Sequence, residues 1–375
     1  MNGSRTLVLL LATMSIGCQE HPRDSAGDRL RLAPREALSA ADDAGFERAT
    51  EPREFSFPVD HGPHPAFRTE WWYVTGNLET ADRRRFGYQL TIFRNALRAE
   101  IPARESAWAT RDVWFAHFGL TDVADGRMHD EERFSRGALG LAGARPDPFR
   151  VWLEDWEFTS LGEGFFPLAV RARADGFAID LELRSTRPLV LQGEEGLSRK
   201  SSQPGNASYY YSFTRIESSG TVRIGETGFA VTGSSWLDRE WSTSALGPDQ
   251  RGWDWFALQL DDGRDVMFYR LRSKDGRPDP ASAGTLVAAD GTHRTLGVDD
   301  VQLEVEATWP SPRGPVYPSQ WRLRVPGADL DLRVRPVLAD QEHDFVVRYW
   351  EGAVDVLDRS GRRVGVGYVE LTGYD

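Results

Sequence analysis

The chain has 375 residues, 40% of them apolar and 27% charged, and a formal net charge of −12. That length favours two domains, each able to bury its own core, and the ordinary apolar content excludes a largely disordered chain. Acidity without a basic stripe excludes recognition of a nucleic-acid backbone, which needs clustered Lys and Arg.

At the N-terminus, "MNGSRTLVLLLATMSIGCQE" places Arg5 ahead of an apolar run from Leu7 to Ile16, then Gly17 before Cys18. The run is too short to span a bilayer and reads as a signal segment over residues 1–18. Cys18 is the only cysteine, so it forms no internal disulfide. Its position after a signal core resembles a bacterial lipobox, with Ser15 where that pattern usually has Leu. The expectation is lipidation at Cys18 and an envelope protein held to the membrane by that anchor; plain secretion is the alternative. Gln19 is not the Asp that commonly retains bacterial lipoproteins in the inner membrane, which favours the outer membrane, on its periplasmic side. Residues 19–53, charged and alanine-rich, read as a flexible tether.

After Phe55 the texture changes. "WWYVTGNLE", "RFGYQLTIFR", "VWFAHFGLTD", "YYYSFTRIES", "GWDWFALQLDDGRDVMFYRLRS" and "VVRYWEGAVDVLD" are strand-length runs that alternate or are rich in rings. "ADGF", "DDGR", "KDGR" and "RSGR" between such runs supply the glycine that tight hairpins demand. A meander of this kind hides its edges by closing into a barrel, and about eight strands enclose one small ligand. The segments suffice for two antiparallel β-barrels. "STSALGPDQRG" interrupts the pattern, so the domains are expected over 54–243 and 244–375, and the fold class is all-β.

No GxSxG, HExxH, Walker or CxxC pattern occurs. His61 and His64 have a spacing compatible with one metal face, but in "VDHGPHPAF" they read as loop histidines, and no metal is expected. In "FRTEWWYVTGNLE", Glu70 and Trp72 share one face while Trp71 and Tyr73 share the other; Glu70 and Trp72 are candidates for a cavity wall. His117 in "VWFAHFGLTD" is either a polar group facing a cavity or a hydrogen-bonded core histidine. In "GSSWLDREWS", Trp236, Asp238 and Glu240 project to one face, and Leu237, Arg239 and Trp241 to the other. Carboxyls desolvated beside an indole and repelling each other have raised pKa values, and an acid that keeps its proton near neutrality can donate it. Pairing of Asp238 and Glu240 with arginines at a barrel end is the structural alternative. Tyr209 and Tyr211 share a face of the preceding strand, from which their phenols could meet that acid. Trp253 and Trp255 in "GWDWFALQL" are further candidates for the ligand's surroundings.

Taken in order, "TEWWYVTGNL", "FGYQLTIFR", "VWFAHFGLTD", "SYYYSF", "SSWLDREWS", "YWEGAVDV" and "GYVELTGY" resemble the AttH-like and hydroxyneurosporene synthase (carotenoid 1,2-hydratase) family over about residues 55 to 375. The resemblance implies two tandem lipocalin-like barrels and, for some members, an apolar polyene or terpenoid ligand. For the carotenoid branch it implies addition of water across an isoprenoid double bond, with an aspartate that protonates the alkene; that aspartate matches Asp238. Tyr209 and Tyr211 stand for the imidazole and indole of that branch, and Trp236 stands where it has tyrosine. The secreted AttH-like branch is the nearer one. The expected function is binding of an apolar isoprenoid or lipid-like ligand, with acid-assisted hydration or isomerisation by Asp238, supported by Glu240, Tyr209 and Tyr211, and with no cofactor. A non-catalytic lipid carrier is the alternative, and a hydrolase, for which no nucleophile is evident, is the second.

Overall fold

The structure, a computed structural model, describes residues 43–100, 103, 105–185, 187–244 and 246–374. The signal segment, Cys18 and the tether up to residue 42 lie outside the described residues.

The first sheet begins as a meander of β1 (Thr69–Glu79), β2 (Arg85–Ala96), β3 (Asp112–Asp122) and β4 (Arg127–Arg136). A second meander follows, of β5 (Ala142–Pro146), β6 (Phe149–Leu153), β7 (Trp156–Ser160), β8 (Leu168–Ala174) and β9 (Phe177–Arg184). The short β10 (Val190–Leu191) and β11 (Leu197–Arg199) pair with the long β12 (Ala207–Ile224), which turns tightly into β13 (Thr227–Ser242). Because β13 pairs with β1 and β12 with β9, the two meanders join into one curled sheet.

The second sheet starts with β14 (Gln250–Leu260), β15 (Asp265–Ser273), β16 (Ala283–Val287) and β17 (His293–Gly297). Its other half is β18 (Gln302–Pro310), β19 (Val316–Val325), β20 (Leu330–Pro336), β21 (Glu342–Asp344), β22 (Arg348–Leu357) and β23 (Arg363–Thr372), with β23 paired to β14. Every named pairing is antiparallel, and the fold is all-β, two curled, near-closed sheets of the lipocalin-like kind.

Strand alternation explains where the apolar residues go. Trp72, Val74, Leu90, Phe118 and Leu237 fill the first barrel, and Phe256, Leu258, Trp321, Trp350 and Val354 fill the second. A third cluster, including Tyr73, Tyr210, Trp236, Trp255, Tyr269 and Tyr368, lies between the barrels. Strands covered on both faces read as nearly continuous aromatic runs, which accounts for "EWWYV" and "WDWFAL".

The barrels approach closely. A Cβ on Gly87 of β2 would stand 2.5 Å from the Cβ of Ala353 of β22, so a side chain there would force them apart. Asn77 Nδ2 donates to the Gly367 carbonyl at 3.0 Å, and Gln259 Nε2 donates to the carbonyls of Thr214 and Ser235 at 2.7 and 2.9 Å.

One expectation is corrected before the first strand. Residues 47–53, assigned to the tether, are packed on the first barrel: Ala49 is fully buried, the Glu47 amide donates to the Ala66 carbonyl, and Tyr209 donates its hydroxyl proton to the Glu51 carbonyl at 2.9 Å. A covering segment outside any strand ladder has no periodicity to betray it.

Candidate active site

Along β13, Leu237, Arg239 and Trp241 point into the first barrel, while Trp236, Asp238 and Glu240 point outward to the second. Asp238 is buried with three hydrogen-bond donors around it. Ser212 Oγ and Trp236 Nε1 donate to Oδ1 at 2.5 and 2.7 Å, and the Tyr210 hydroxyl donates to Oδ2 at 2.6 Å. No basic side chain pairs with it among the described residues. Burial pushes its pKa up to about 7; the three donors oppose that and the neighbouring Glu240 charge adds to it. Glu240 is held differently, with Lys200 Nζ 3.0 Å away and a hydrogen bond from Ser208 Oγ. Burial works against the charge of Lys200, and Glu240 outweighs it, so the ammonium is held above its usual pKa.

Both carboxyls line a cavity of about 100 Å³ between the barrels. Its walls are mainly apolar, with Trp71 and Tyr73 from β1, Trp253 and Trp255 from β14, and Leu246 from the linking segment. Trp255 stands edge-on to Tyr73, ring centroids 5.4 Å apart, and its Nε1 donates to the Tyr210 hydroxyl at 3.3 Å. Asp238 thus sits, without a basic partner, where an aromatic wall meets the hydrogen-bonded carboxyls of β13.

Several sequence candidates lie elsewhere. Tyr209 and Tyr211 face the first barrel's interior, against Trp241, and Tyr211 bonds His61 Nδ1 at 2.7 Å. Tyr210 takes the position expected for them. The cause is a bulge in β12 between Phe213 and Ile216. Continuing the hairpin register from Ile224↔Thr227 without it would set Tyr211 opposite Glu240; the bulge sets Tyr210 there and Ser212 opposite Asp238. A one-residue slip exchanges the faces of every following side chain.

Glu70 and Trp72 also face inward. Glu70 is fully buried between Arg94 and Arg239, within hydrogen-bond reach of both, and Arg239 stacks over Trp72 at 3.9 Å. Burial would raise the Glu70 pKa, but the two guanidiniums hold it well below the usual carboxylate range. The partners that β1 presents to the cavity are Trp71 and Tyr73. Trp236 supports Asp238 from beneath through its indole N–H rather than lining the cavity. His117 faces outward from the first barrel but lines a second, adjoining cavity of about 70 Å³, bonded to the Tyr349 hydroxyl at 2.8 Å and to Glu132 at 3.1 Å. Lys200 and Glu370, which alternation around "WLDREW" does not single out, also line the cavity of Asp238. Glu370 comes from the quoted "GYVELTGY", but only the docking of the second barrel brings it there.

Two lipocalin-like barrels, joined along an aromatic seam that encloses a buried acid, define the class of protein. The chain belongs to the AttH-like family, whose model matches residues 48–374. An AttH protein of Nitrosomonas europaea has a crystal structure similar to it at 36% identity and a TM-score of 0.79, covering 88% of this chain and 99% of that one. Kievitone hydratase from Nectria haematococca has a similar fold at 14% identity and a TM-score of 0.65, covering 88% of this chain and 98% of that one. No protein of curated function matches the chain.

Proposed function

We propose that the protein binds an apolar isoprenoid or lipid-like molecule between its barrels and that Asp238 protonates a double bond of it, leading to hydration or isomerisation. The observation behind this reading is a buried acid without a basic partner, held by three hydrogen-bond donors and with its pKa pushed up to about 7, in the wall of an aromatic cavity. Below that pH Asp238 carries its proton and can transfer it to an alkene carbon. The positive charge that develops on the neighbouring carbon faces the rings of Trp71, Trp253 and Trp255. Water then adds to that carbon and its proton returns to the Asp238 carboxylate, which closes the cycle without a cofactor. Loss of a different substrate proton to the same carboxylate gives isomerisation instead.

The test is incubation of the purified protein with a panel of prenyl alkenes in ¹⁸O-water, followed by mass spectrometry. Gain of one labelled water, or a shifted double bond, is the expected result. Alkenes that bind, seen as a change in tryptophan fluorescence, but return unaltered would make the protein a carrier.

The N-terminal sequence supports placement in the cell envelope through a lipid on Cys18. Labelled palmitate is expected to attach to the wild-type protein and not to Cys18→Ser; equal labelling of the two would end that part of the reading.

A further inference from the structure

The smaller cavity, walled by Phe93 and Phe115 of the first barrel and by Tyr349 and Trp253 of the second, adjoins the larger one and shares Tyr73, Trp253 and Glu370 with it. Glu351 of β22 and Glu370 of β23 stand directly opposite each other across their strand pair, and both line this chamber. Glu351 is buried, and among the described residues neither carboxyl has a basic partner. Elsewhere in the protein, buried carboxylates such as Glu70 and Asp265 are met by arginines. With Asp238, this pair departs from that rule among the described residues, and it faces the chamber.

Hydrogen-bond accounting says what that space lacks. Once ionised, the two carboxylates offer about eight lone-pair sites. The donors in the wall are the Tyr73 hydroxyl, bonded to Glu351, Trp253 Nε1, bonded to Glu370, the Tyr349 hydroxyl, the Thr91 and Thr372 hydroxyls, and Gln89 Nε2, which also donates to Thr91 at 2.9 Å. Gln89 is itself almost fully buried, and its Oε1 accepts no hydrogen bond. In the ionised pair acceptors therefore exceed donors, and a buried acceptor left unmade is costly, which is why the empty chamber favours the protonated form. His117 adds nothing cationic, because burial pushes its pKa down. A ligand that fits must bring N–H donors and positive charge, and the aromatic walls favour a cation over a neutral group.

We propose that this chamber seats an organic ammonium group, the cationic end of a ligand whose apolar body lies in the larger cavity beside Asp238. The proposal rests on the apolar-ligand reading above and adds the chemical class of the ligand's head. Burial and the charges of Glu240 and Asp238 push Glu370 up to about 8, and burial and the charge of Glu370 push Glu351 well above the usual range, so the pair keeps its protons near neutrality and gives them up when a cation enters.

The experiment compares n-hexylamine with 1-hexanol by calorimetry on the full protein at about pH 8.5, where the amine is still cationic. The amine is expected to bind at least tenfold more tightly, and in Glu351→Gln and Glu370→Gln the ratio is expected to fall towards one. Equal binding of amine and alcohol to the wild type overturns the ammonium seat while leaving the apolar cavity intact. Absence of binding by both overturns the two readings together. A preference that survives in both glutamine variants puts the selectivity elsewhere and also overturns it. Should either variant fail to fold, the wild-type comparison still decides.

Discussion

Asp238→Asn is expected to abolish turnover, leave ligand affinity nearly unchanged, and make the protein more stable above neutral pH. Removal of a positioned general acid lowers the rate by about 10²–10⁴-fold. Affinity is kept because asparagine has the same shape, and its carbonyl oxygen still accepts from Ser212 and Trp236 while its amide can donate to the Tyr210 oxygen. The gain in stability follows from the same burial that tunes the acid. In the unfolded chain Asp238 titrates near 3.8 and in the folded protein near 7, so between those values the folded state holds a proton that the unfolded state has lost. Stability from this group is therefore full below about pH 4 and falls as pH rises towards 7, by up to about 4 kcal/mol. Asparagine escapes that loss. The variant should melt above the wild type at pH 8 and beside it at pH 4.

On the proposed function, the same protonation is expected to set the pH dependence of turnover. Only the protonated acid donates, so kcat/KM should be level below about pH 7 and fall tenfold for each pH step above it. Wild-type activity that rises through pH 7, or an Asp238→Asn variant that still turns over, would remove Asp238 from the chemistry. Unchanged affinity with no turnover in either protein is the carrier's signature.

What was legible in the sequence is what alternation within one strand can fix. The period of two along "GSSWLDREWS" places Asp238 and Glu240 on one face and Arg239 on the other, as the structure does. The choice among Tyr209, Tyr210 and Tyr211 was not legible, because it depends on a bulge between Phe213 and Ile216, well before the hairpin turn after Ile224, and nothing in "SYYYSFTRIES" marks where the extra residue goes. In "TEWWYV" both faces are aromatic, so pattern alone does not say which face is the barrel's interior. The long-range pairing of Glu70 with Arg94 and Arg239 decides it. Glu351 and Glu370 meet the first barrel only when the two barrels dock, and Lys200 meets Glu240 only through the pairing of β11 with β12, relations that no local periodicity encodes.

Glu70→Ala is the second substitution with a large expected effect, a loss of about 3–5 kcal/mol in stability, read as a melting temperature lower by about 10 °C. Glu70, Arg94 and Arg239 are all almost fully inaccessible to solvent. Arg94 donates to the carbonyls of His64 and Phe67 at 2.9 and 2.8 Å, and Arg239 to that of Gly62 at 2.6 Å, so neither guanidinium can swing out to water without undoing the chain entry into β1. Alanine would leave Arg239 facing Arg94 in the barrel with only Asp112, 3.0 Å from Arg94, to offset the two charges, and that excess charge, more than the lost attraction, is the source of the penalty. The distinction is measurable. Replacing all three with methionine removes the attraction and the charges together, and should cost less than Glu70→Ala alone. If the triple variant is instead the less stable, the ion pairs themselves supply the stability. The effect should reach the cavity, because Arg239 and Asp238 are adjacent on β13, one pointing inward to Glu70 and the other outward to the cavity between the barrels. A β13 that loses its inward pin loosens the outward acid, so Glu70→Ala should lower turnover below the melting transition, although Glu70 touches no part of the cavity.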